Sequence, residues 1–366
     1  MCSCGDAGRV AEPARTRRPL DAGRAVRGAW APIGPPVHVG MTDAGAVGGF
    51  THVALCHRST AELAETLVPV LSGWLGMDDT VVVNLSSARL AALKAAMSGV
   101  ADRVHWSDTR TWHPHPARRL RAIQELVDAE ARHGGAPLRF VGECAFPASP
   151  PERVAEWGKF DAILNDALAS APVTMVCTYD VRALPAEAVC TVPRSHPLLG
   201  LDPVTKSTQY VEPAEYLSRG TTSLSPIPAC AHRIVGRVTP GDARALVGTV
   251  LSSVAADPAS TLPSDAVEEL AVATTELVTN AWQAGATSIG VSCWRTDGEA
   301  GVQVDDDGPG LDDPFAGYRR PSPGATGGRG LWISRQLTDL LEVASGPAGT
   351  SVRVRVFDDV GARFGP

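Results

Sequence analysis

Between Phe50 and Asp180, short apolar segments alternate with longer segments in which apolar residues recur at helical spacing. The short segments have the composition of buried strands, and the longer ones that of amphipathic helices. Strands that are apolar on both faces and separated by helices assemble into parallel sheets with crossover helices. The alternation therefore predicts an α/β domain built on a parallel sheet. We expect its strands at THVALC, TVVVNL, DRVHWS, LRFVGE and VTMVCTYD.

The first strand-to-helix turn of this domain, LCHRSTAEL, has neither the glycines nor the lysine of a phosphate-binding loop. We therefore do not expect this half of the chain to hydrolyse nucleotide. Sheets of this kind bind ligands at the carboxyl ends of their strands. His52, Cys56 and His57, on the first strand and its turn, are candidates for a ligand pocket. The alternative is that each is an ordinary core or surface residue.

A second group of histidines, His105, His113 and His115, lies in a loop that contains Pro114. The residue before a proline is held in extended backbone, which makes it difficult for the two flanking histidines to converge. We therefore expect no metal site in this loop.

Several segments of this half carry a family resemblance. They are THVALCHRSTAEL, LRFVGE, Trp157 and Asn165 in WGKFDAILN, CTYD, and His196-Pro197. With these segments, roughly residues 48–200 resemble the MEDS family, the methanogen and methylotroph sensory domain. The resemblance implies a degenerate RecA-like fold that senses a small organic ligand or a partner protein.

In the second half, the segment SDAVEELAVATTELVTNAWQ carries apolar residues at helical spacing after a Pro263-Ser264 start signal. On this helix Glu276 and Asn280 lie one turn apart on one face. A carboxylate and an amide oxygen held in this way suit a hydroxyl nucleophile and a hydrated Mg2+. The alternative is a solvated polar face.

Two alternating segments, SIGVSCW and GVQVDD, predict a hairpin of neighbouring strands joined at Asp297-Gly298. The pattern Asp306-x-Gly308-x-Gly310 then ends the second strand. A carboxylate there can accept a hydrogen bond from an exocyclic amine such as that of adenine, and the glycines let the backbone approach a planar base. The alternative is an acidic glycine-proline turn.

Gly327, Gly328 and Gly330 stand immediately before LWISRQLTDLLEV. We predict that this segment is one amphipathic helix extending through Leu340 and Leu341. Free backbone N–H groups at a helix start, with the positive end of the helix dipole behind them, form an anion site. The alternative is that the glycines only mark the start of the helix.

The order and spacing of these three pieces resemble the N, G1 and G2 boxes of the GHKL ATPase superfamily. The strand TSVRVRVF also begins at Thr350, where that family has a threonine near the adenine. The resemblance implies a C-terminal α/β sandwich of the GHKL ATPase (Bergerat) type that binds ATP and Mg2+. It implies Glu276 as the general base and Asn280 as the ligand of Mg2+. It also implies Asp306, Gly308, Gly310 and Thr350 at the adenine, and Gly328 and Gly330 at the phosphates.

The segment between the two glycine boxes, Leu311 to Thr326, is short. In this respect the domain resembles the anti-sigma factor serine kinases, in which the glutamate activates a serine hydroxyl of a partner. This resemblance implies a serine/threonine protein kinase whose partners are a sigma factor and an anti-anti-sigma factor, and a chain that forms homodimers. Ala284 stands where family members commonly carry a histidine, four residues after Asn280.

Two alternatives therefore stay open. One is a catalytically inactive ATP- or ADP-binding module that sequesters a sigma factor or another regulator. The other is a sensor histidine kinase, although the sequence contains no helical hairpin of the kind that carries a phosphoacceptor histidine.

Composition and charge exclude several classes of protein. With 44% apolar and 20% charged residues, the chain of 366 residues has a globular composition, and its net charge of -7 argues against a general nucleic-acid-binding protein. The eight cysteines form no pair of CxxC motifs, which favours reduced thiols over a zinc ribbon or a disulfide framework. No apolar run is long enough to span a membrane. We expect a soluble, cytoplasmic protein.

These patterns divide the chain into four parts. Residues 1–47 are rich in Ala, Gly, Pro and Arg without apolar periodicity, and we predict either that they form a disordered tail or that Met41 is the natural start. The other parts are a MEDS-like sensory domain at 48–200, a linker rich in Pro and Ser at 201–230, and a GHKL ATPase domain at 231–360.

Overall fold

The computed structural model describes residues 49–109, 112, 115–132, 136–144, 151–218, 224–255, 262–321 and 328–358. The tail that the sequence predicts to be disordered, residues 1–47, lies outside these ranges. Within them, the strands form two separate sheets, one in each half of the chain. None of the helices in the described ranges is both long and apolar enough to cross a bilayer.

The N-terminal half is built on a sheet of seven strands. They are β1 (Thr51–His57), β2 (Thr80–Leu85), β3 (His105–Asp108), β4 (Leu138–Glu143), β5 (Val173–Asp180), β6 (Leu198–Leu199) and β7 (Thr205–Lys206). Their order across the sheet is β3-β2-β4-β5-β1-β6-β7. Neighbours run parallel except for β6 and β7, which are antiparallel. The predicted parallel sheet is therefore present, with one short antiparallel edge.

Helices cover both faces of this sheet. They are α1 (Thr60–Gly76), α2 (Ser87–Ala96), α3 (Pro116–Arg132), α4 (Pro151–Ala167), α5 (Ala186–Ser195) and α6 (Pro213–Ser218). Alternate residues of β1 enter different cores: Val53 and Leu55 pack with α1 and α2, whereas Ala54 packs with residues of α3 to α6. Both faces of β1, β2, β4 and β5 are buried, which explains why the sequences of these strands are continuous apolar runs.

The segment predicted to be a linker, residues 201–230, contains regular structure. Strand β7 pairs with β6, and helix α6 packs against α4 and α5. Leu201 and Leu217 are buried in the two cores of the N-terminal half. The first part of this segment therefore completes the N-terminal fold, and only its later part connects the two halves.

The C-terminal half is an antiparallel sheet with helices packed on it. Its strands are β8 (His232–Gly236), β9 (Ile289–Thr296), β10 (Glu299–Asp306), β11 (Leu340–Gly346) and β12 (Gly349–Phe357), and its helices are α7 (Pro240–Ala255), α8 (Ala266–Gln283) and α9 (Arg329–Leu337). The strand order is β11-β12-β10-β9-β8. Val304 and Val352 from the sheet share one core with Leu251 from α7 and Leu277 from α8. The α/β fold class predicted for each half is confirmed.

The prediction of one helix through Leu340 and Leu341 is wrong. Helix α9 ends at Leu337, because Thr338 adopts extended backbone with ψ 158 and its hydroxyl donates to the carbonyl of Ser334 at 2.8 Å. Leu340 and Leu341 instead pair with β12 and are buried in the sheet. Their spacing from Leu337 suits a helix, but pairing with a neighbouring strand outweighs that local pattern.

Gly301 on β10 provides a test of the C-terminal core. It lies directly opposite Trp294 on β9, and a Cβ at this glycine would lie 2.9 Å from Trp294 Nε1. We expect Gly301→Ala to lower the free energy of unfolding by about 1–3 kcal/mol, measured by chemical denaturation, because the buried indole has little room to move.

Gly248→Ala in α7 is the matched control, since nothing lies within 4 Å of an added Cβ there. Alanine favours helix, so this variant is expected to keep its stability or gain up to about 1 kcal/mol. Equal stability of the two variants would contradict the packing of Trp294 against Gly301.

Candidate functional site

Helix α8 carries the predicted base and the predicted metal ligand. Its residues Leu270, Leu277 and Ala281 are buried in the core, whereas Glu276 and Asn280 are only partly buried. The two polar side chains are one helical turn apart and leave the helix on the same side. Among the described residues, Glu276 makes no hydrogen bond or ion pair. Its carboxylate is therefore available to a ligand.

Asn280 lies directly against the start of α9. A Cβ at Gly330 would come within 2.7 Å of Asn280 Oδ1, closer than real Cβ atoms approach. Only glycine fits at position 330 without moving this amide. The Ser334 hydroxyl of α9 also lies 3.4 Å from the carbonyl oxygen of Ala273 on α8. These contacts bring the first and third sequence motifs together.

The start of α9 has the backbone of an anion site. Gly328 is the N-cap residue, its φ is 78, and no side chain caps the helix. Gly330 follows in the first turn and is buried. The N–H groups of a first helical turn have no partner within the helix, and the positive end of the helix dipole lies there. Gly327 lies outside the described residues.

Asp306 and Thr350 lie side by side at one end of the C-terminal sheet. They are paired residues of β10 and β12, on the face that the helices cover. Burial raises the pKa of Asp306, although backbone N–H groups of Gly308 and Thr350 act in the opposite direction. The Gly308 N–H donates to Asp306 Oδ1 at 2.9 Å, and the Thr350 hydroxyl lies 3.3 Å from that of Ser345.

The three consecutive aspartates of VDDDGPG have three different environments. Asp305 faces the opposite side of the sheet, where it pairs with Arg233 at 3.1 Å. Asp307 accepts hydrogen bonds from Thr287 at 2.6 Å and from the Ser288 N–H at 3.0 Å, and these bonds lower its pKa to about 2. Asp306 is therefore the aspartate of this run that faces the helix side.

The backbone conformation of Gly310 explains why a glycine stands at this position. Its φ is 93, a left-handed conformation that favours glycine, and a Cβ there would lie 2.6 Å from the carbonyl oxygen of Gly346. The residue thus turns the chain away from β10 against the end of β11. The resemblance places Gly310 at the adenine, and the structure places it beside Ser345, whose hydroxyl lies 3.3 Å from that of Thr350.

Sequence patterns did not reveal the contact between the two halves. Phe315 and Tyr318, which follow the glycine turn, are buried in the core of the N-terminal half. The Tyr318 hydroxyl donates to both carboxylate oxygens of Glu156 on α4, at 3.0 and 3.1 Å. Burial raises the pKa of Tyr318, with Arg335 acting in the opposite direction, so the hydroxyl keeps the proton that it donates.

Arg335 of α9 completes this buried contact. Its Nη1 atom pairs with Glu156 Oε1 at 2.5 Å, and its guanidinium carbon lies 3.6 Å from the centroid of the Tyr318 ring. Both charged side chains are almost fully buried. Separating a buried ion pair leaves an uncompensated charge in the protein interior, so the two side chains stay together. The N-terminal half therefore holds the helix whose first turn contacts Asn280.

Arg118 of α3 holds the other end of the same helix. Its guanidinium donates to the carbonyl oxygens of Gln336 at 2.5 Å and Leu337 at 3.0 Å. A cation at the carboxyl end of a helix is favoured by the helix dipole. His115 and Asp339 pair nearby at 2.9 Å. Burial alone would raise the pKa of Asp339, but its bond to His115 lowers it.

The histidine candidates occupy separate places. His52 and Cys56 lie on the face of the first sheet that packs against α3 to α6, whereas His57 at the end of β1 lies on the other face. These three residues therefore do not line one pocket. His115 is the partner of Asp339, as described above, and His105 is exposed in β3. His113 lies outside the described residues.

Comparisons with known proteins find one family match in each half of the chain. Residues 51–197 match the family model of the MEDS domain (methanogen/methylotroph, DcmR sensory domain), and residues 238–356 match that of the histidine kinase-like ATPase domain. Among solved structures, the chain is similar to the histidine kinase domain of the Erythrobacter litoralis EL346 blue-light activated histidine kinase, with 22% identity and a TM-score of 0.23. That alignment covers 33% of this chain and 63% of that chain, less than two thirds of its length. No curated protein matches the sequence.

The C-terminal half is thus an ATPase domain of the histidine kinase-like class, a class that binds ATP. The chain therefore carries a MEDS domain followed by a histidine kinase-like ATPase domain. The resemblances to the MEDS family and to the GHKL ATPase superfamily are confirmed.

The ion pair between the halves gives a second test. Glu156→Ala would leave the buried Arg335 guanidinium without its partner, which costs about 3–5 kcal/mol for a buried charge. We expect a loss of that size in the free energy of unfolding of the full chain, measured by chemical denaturation.

Asp166→Ala is the control, because it removes the partner of Arg319, an exposed pair at the same contact. Exposed pairs contribute less than about 1 kcal/mol. If the two variants lost the same small amount of stability, Arg335 would not be desolvated where the halves meet.

Proposed function

We propose that this chain is an ATP- and Mg2+-dependent protein serine/threonine kinase of the anti-sigma regulatory type, controlled by its MEDS domain. The proposed partners are a sigma factor and an anti-anti-sigma factor, and the proposed input is a small organic ligand of the MEDS domain. The observation that carries the proposal is the contact of Asn280 with Gly330, one helical turn from the unpaired carboxylate of Glu276.

Phosphoryl transfer needs mainly positioning and charge stabilisation, and these side chains can supply both. Asn280 offers an amide oxygen, the kind of ligand that Mg2+ takes, and the ion when bound neutralises phosphate charge. The first turn of α9 at Gly328 and Gly330 would bind phosphate through its N–H groups. Asp306, with Gly308 and Thr350 beside it, would accept from the adenine amine.

Glu276 is the proposed general base toward a serine hydroxyl of the partner protein. A base must lie within hydrogen-bonding reach of the hydroxyl and must not be engaged elsewhere. Glu276 meets the second condition among the described residues, and its partial exposure leaves room for a segment of another protein.

Control by the MEDS domain is supported by the contacts of α9. The start of this helix carries Gly330, while Arg335 and the carbonyl groups at its end are bound by Glu156 and Arg118 of the MEDS domain. A shift of α4 would therefore be transmitted to the proposed phosphate site through one short rigid element.

The alternative of an inactive nucleotide-binding module is favoured by one residue. Ala284 stands one turn after Asn280, where the resemblance predicts a histidine, and it lies close to Gly308. A methyl group at this place can neither donate nor accept a proton. The same domain could then bind ATP or ADP as a signal without transferring phosphate.

Nucleotide binding is tested by calorimetry with ATP and Mg2+ on the full chain. We expect Asn280→Ala to weaken ATP binding about 10- to 100-fold, the size of a lost hydrogen bond to a charged group. Thr279→Ala is the matched control, because its hydroxyl donates to the carbonyl of Thr275 within the same helix. Binding that is unchanged in Asn280→Ala would remove this residue from the site.

Phosphate transfer is tested with labelled ATP and candidate anti-anti-sigma proteins. We expect Glu276→Gln to slow transfer about 100- to 10,000-fold, the usual contribution of a general base, with ATP affinity unchanged within about threefold. Glu268→Gln, an exposed change on the first turn of the same helix, is the control.

Three outcomes would contradict the kinase proposal. ATP binding without any phosphorylated partner would favour the inactive module. Acid-labile phosphate on the chain itself would indicate a histidine kinase. Loss of ATP binding together with transfer in Glu276→Gln would remove the base role from this residue.

A further inference from the structure

Four potential metal ligands meet in the interior of the MEDS domain. They come from β1, from α4, from β5 and from the residue that caps α5, and their ligand atoms all lie within 4.8 Å of one another. Each residue is at most 3% exposed. The four residues, called the buried cluster here, are His52, Asp161, Cys177 and His196.

The hydrogen bonds of His52 fix the direction of its lone pair. Asn165 donates through its amide nitrogen to the carbonyl oxygen of Ser195 at 2.8 Å, so its own Oδ1 atom is left to accept. His52 Nδ1 lies 3.1 Å from that oxygen and therefore carries the proton. The other ring nitrogen, Nε2, then presents its lone pair to Cys177 and accepts from the thiol at 3.4 Å.

His196 is arranged in the same way. Its Nδ1 atom lies 2.9 Å from the carbonyl oxygen of Val192 and must donate to it. Its Nε2 atom therefore also presents a lone pair, here toward the Tyr179 hydroxyl at 3.3 Å. Metal-binding histidines commonly donate their second ring nitrogen to a carbonyl or amide oxygen in this manner.

The buried cluster has more acceptors than donors. The Tyr179 hydroxyl has one proton but two acceptors, Asp161 Oδ2 at 2.7 Å and His196 Nε2 at 3.3 Å. Asp161 Oδ1 is buried and has no hydrogen-bond partner among the described residues. Buried polar atoms are almost always paired, and an unpaired carboxylate oxygen beside two imidazole lone pairs is a place where a cation can bind.

We propose that the buried cluster binds one divalent transition-metal ion of the zinc type. Two imidazoles, one thiolate and one carboxylate are a ligand set that Zn2+ accepts, and their two negative charges balance the ion. Ligand bonds of about 2.0–2.3 Å place tetrahedral donors about 3.3–3.8 Å apart. The ligand atoms of the buried cluster lie within 4.8 Å of one another, so side-chain movements of about 1 Å would bring them to this geometry.

The protonation of the residues is compatible with this site. Burial lowers the pKa of His52 and lowers that of His196 to about 4, so both rings are neutral at neutral pH. Burial raises the pKa of Asp161 to about 7, with Tyr179 and Arg119 acting in the opposite direction. A zinc ligand must be deprotonated, so metal binding would release the thiol proton of Cys177.

The site would act on the same helix that contacts the ATPase domain. Asp161 and Glu156 both belong to α4, and Glu156 binds Arg335 and Tyr318. An ion in the buried cluster would fix α4 against β1 and β5. The position of the helix at the ATPase contact would then depend on metal occupancy.

The test uses the full chain, stripped of metal with a chelator and then titrated with Zn2+ or Co2+. We expect one tightly bound Zn2+ per chain by elemental analysis. With Co2+ we expect visible absorption from a tetrahedral site together with a thiolate-to-metal charge-transfer band. Asp161→Asn and Cys177→Ser are expected to weaken Zn2+ binding at least about 100-fold, since even outer partners of metal ligands contribute 10- to 100-fold.

Cys293→Ser is the matched control, because Cys293 is equally buried but lies in the ATPase domain. It is expected to keep both the metal and the charge-transfer band. Circular dichroism of the metal-free proteins checks that each variant folds, and the Co2+ spectrum of the wild type gives a result that needs no variant.

The proposal is overturned if the wild type binds well below one Zn2+ per chain or shows no thiolate band with Co2+. It is also overturned if the band survives in Cys177→Ser, because the ion would then be an adventitious one on another cysteine. Equal Zn2+ affinity of Asp161→Asn and the wild type would likewise remove the site.

Discussion

The buried pair of Glu156 and Arg335 is the interaction on which the relation between the two halves depends. Two charges removed from water are stable only while each remains beside the other, and here the Tyr318 hydroxyl and ring complete the arrangement. The pair joins helix α4 of the MEDS domain to helix α9 of the ATPase domain. The two domains therefore meet at a contact that tolerates little sliding, in contrast to an exposed pair such as Asp166 with Arg319.

This contact gives α9 a role at each of its ends. Gly330 in its first turn lies against Asn280 of the proposed nucleotide site, and the carbonyl groups of its last turn are bound by Arg118 of the MEDS domain. The helix is short, from Arg329 to Leu337, and helical hydrogen bonds make it rigid. A displacement at one end cannot be absorbed within it, so the proposed nucleotide site and the sensory domain share one element.

Most of the fold could be predicted from local sequence patterns, and so could the order of the nucleotide motifs. Alternating apolar segments revealed the parallel sheet, and the spacing of Glu276 and Asn280 placed both on one face of α8. The helix prediction failed at Leu340 and Leu341 because their spacing fits a helix. They belong instead to a strand that pairs with β12, the next strand of the chain. The same limit applies to the buried cluster and to the Glu156 contact. Their members are separated by more than a hundred residues in places, and no local period signals that they meet.

The segment that carries Phe315 and Tyr318 fits the ATPase domain to this particular sensory domain. Its aromatic side chains are buried in the core of the MEDS domain although they belong to the chain of the ATPase domain. The two domains are therefore not interchangeable parts. An ATPase domain transplanted behind a different sensor would expose two aromatic rings and an unpaired guanidinium to water. A different sensory domain would have to supply its own partners for Phe315, Tyr318 and Arg335.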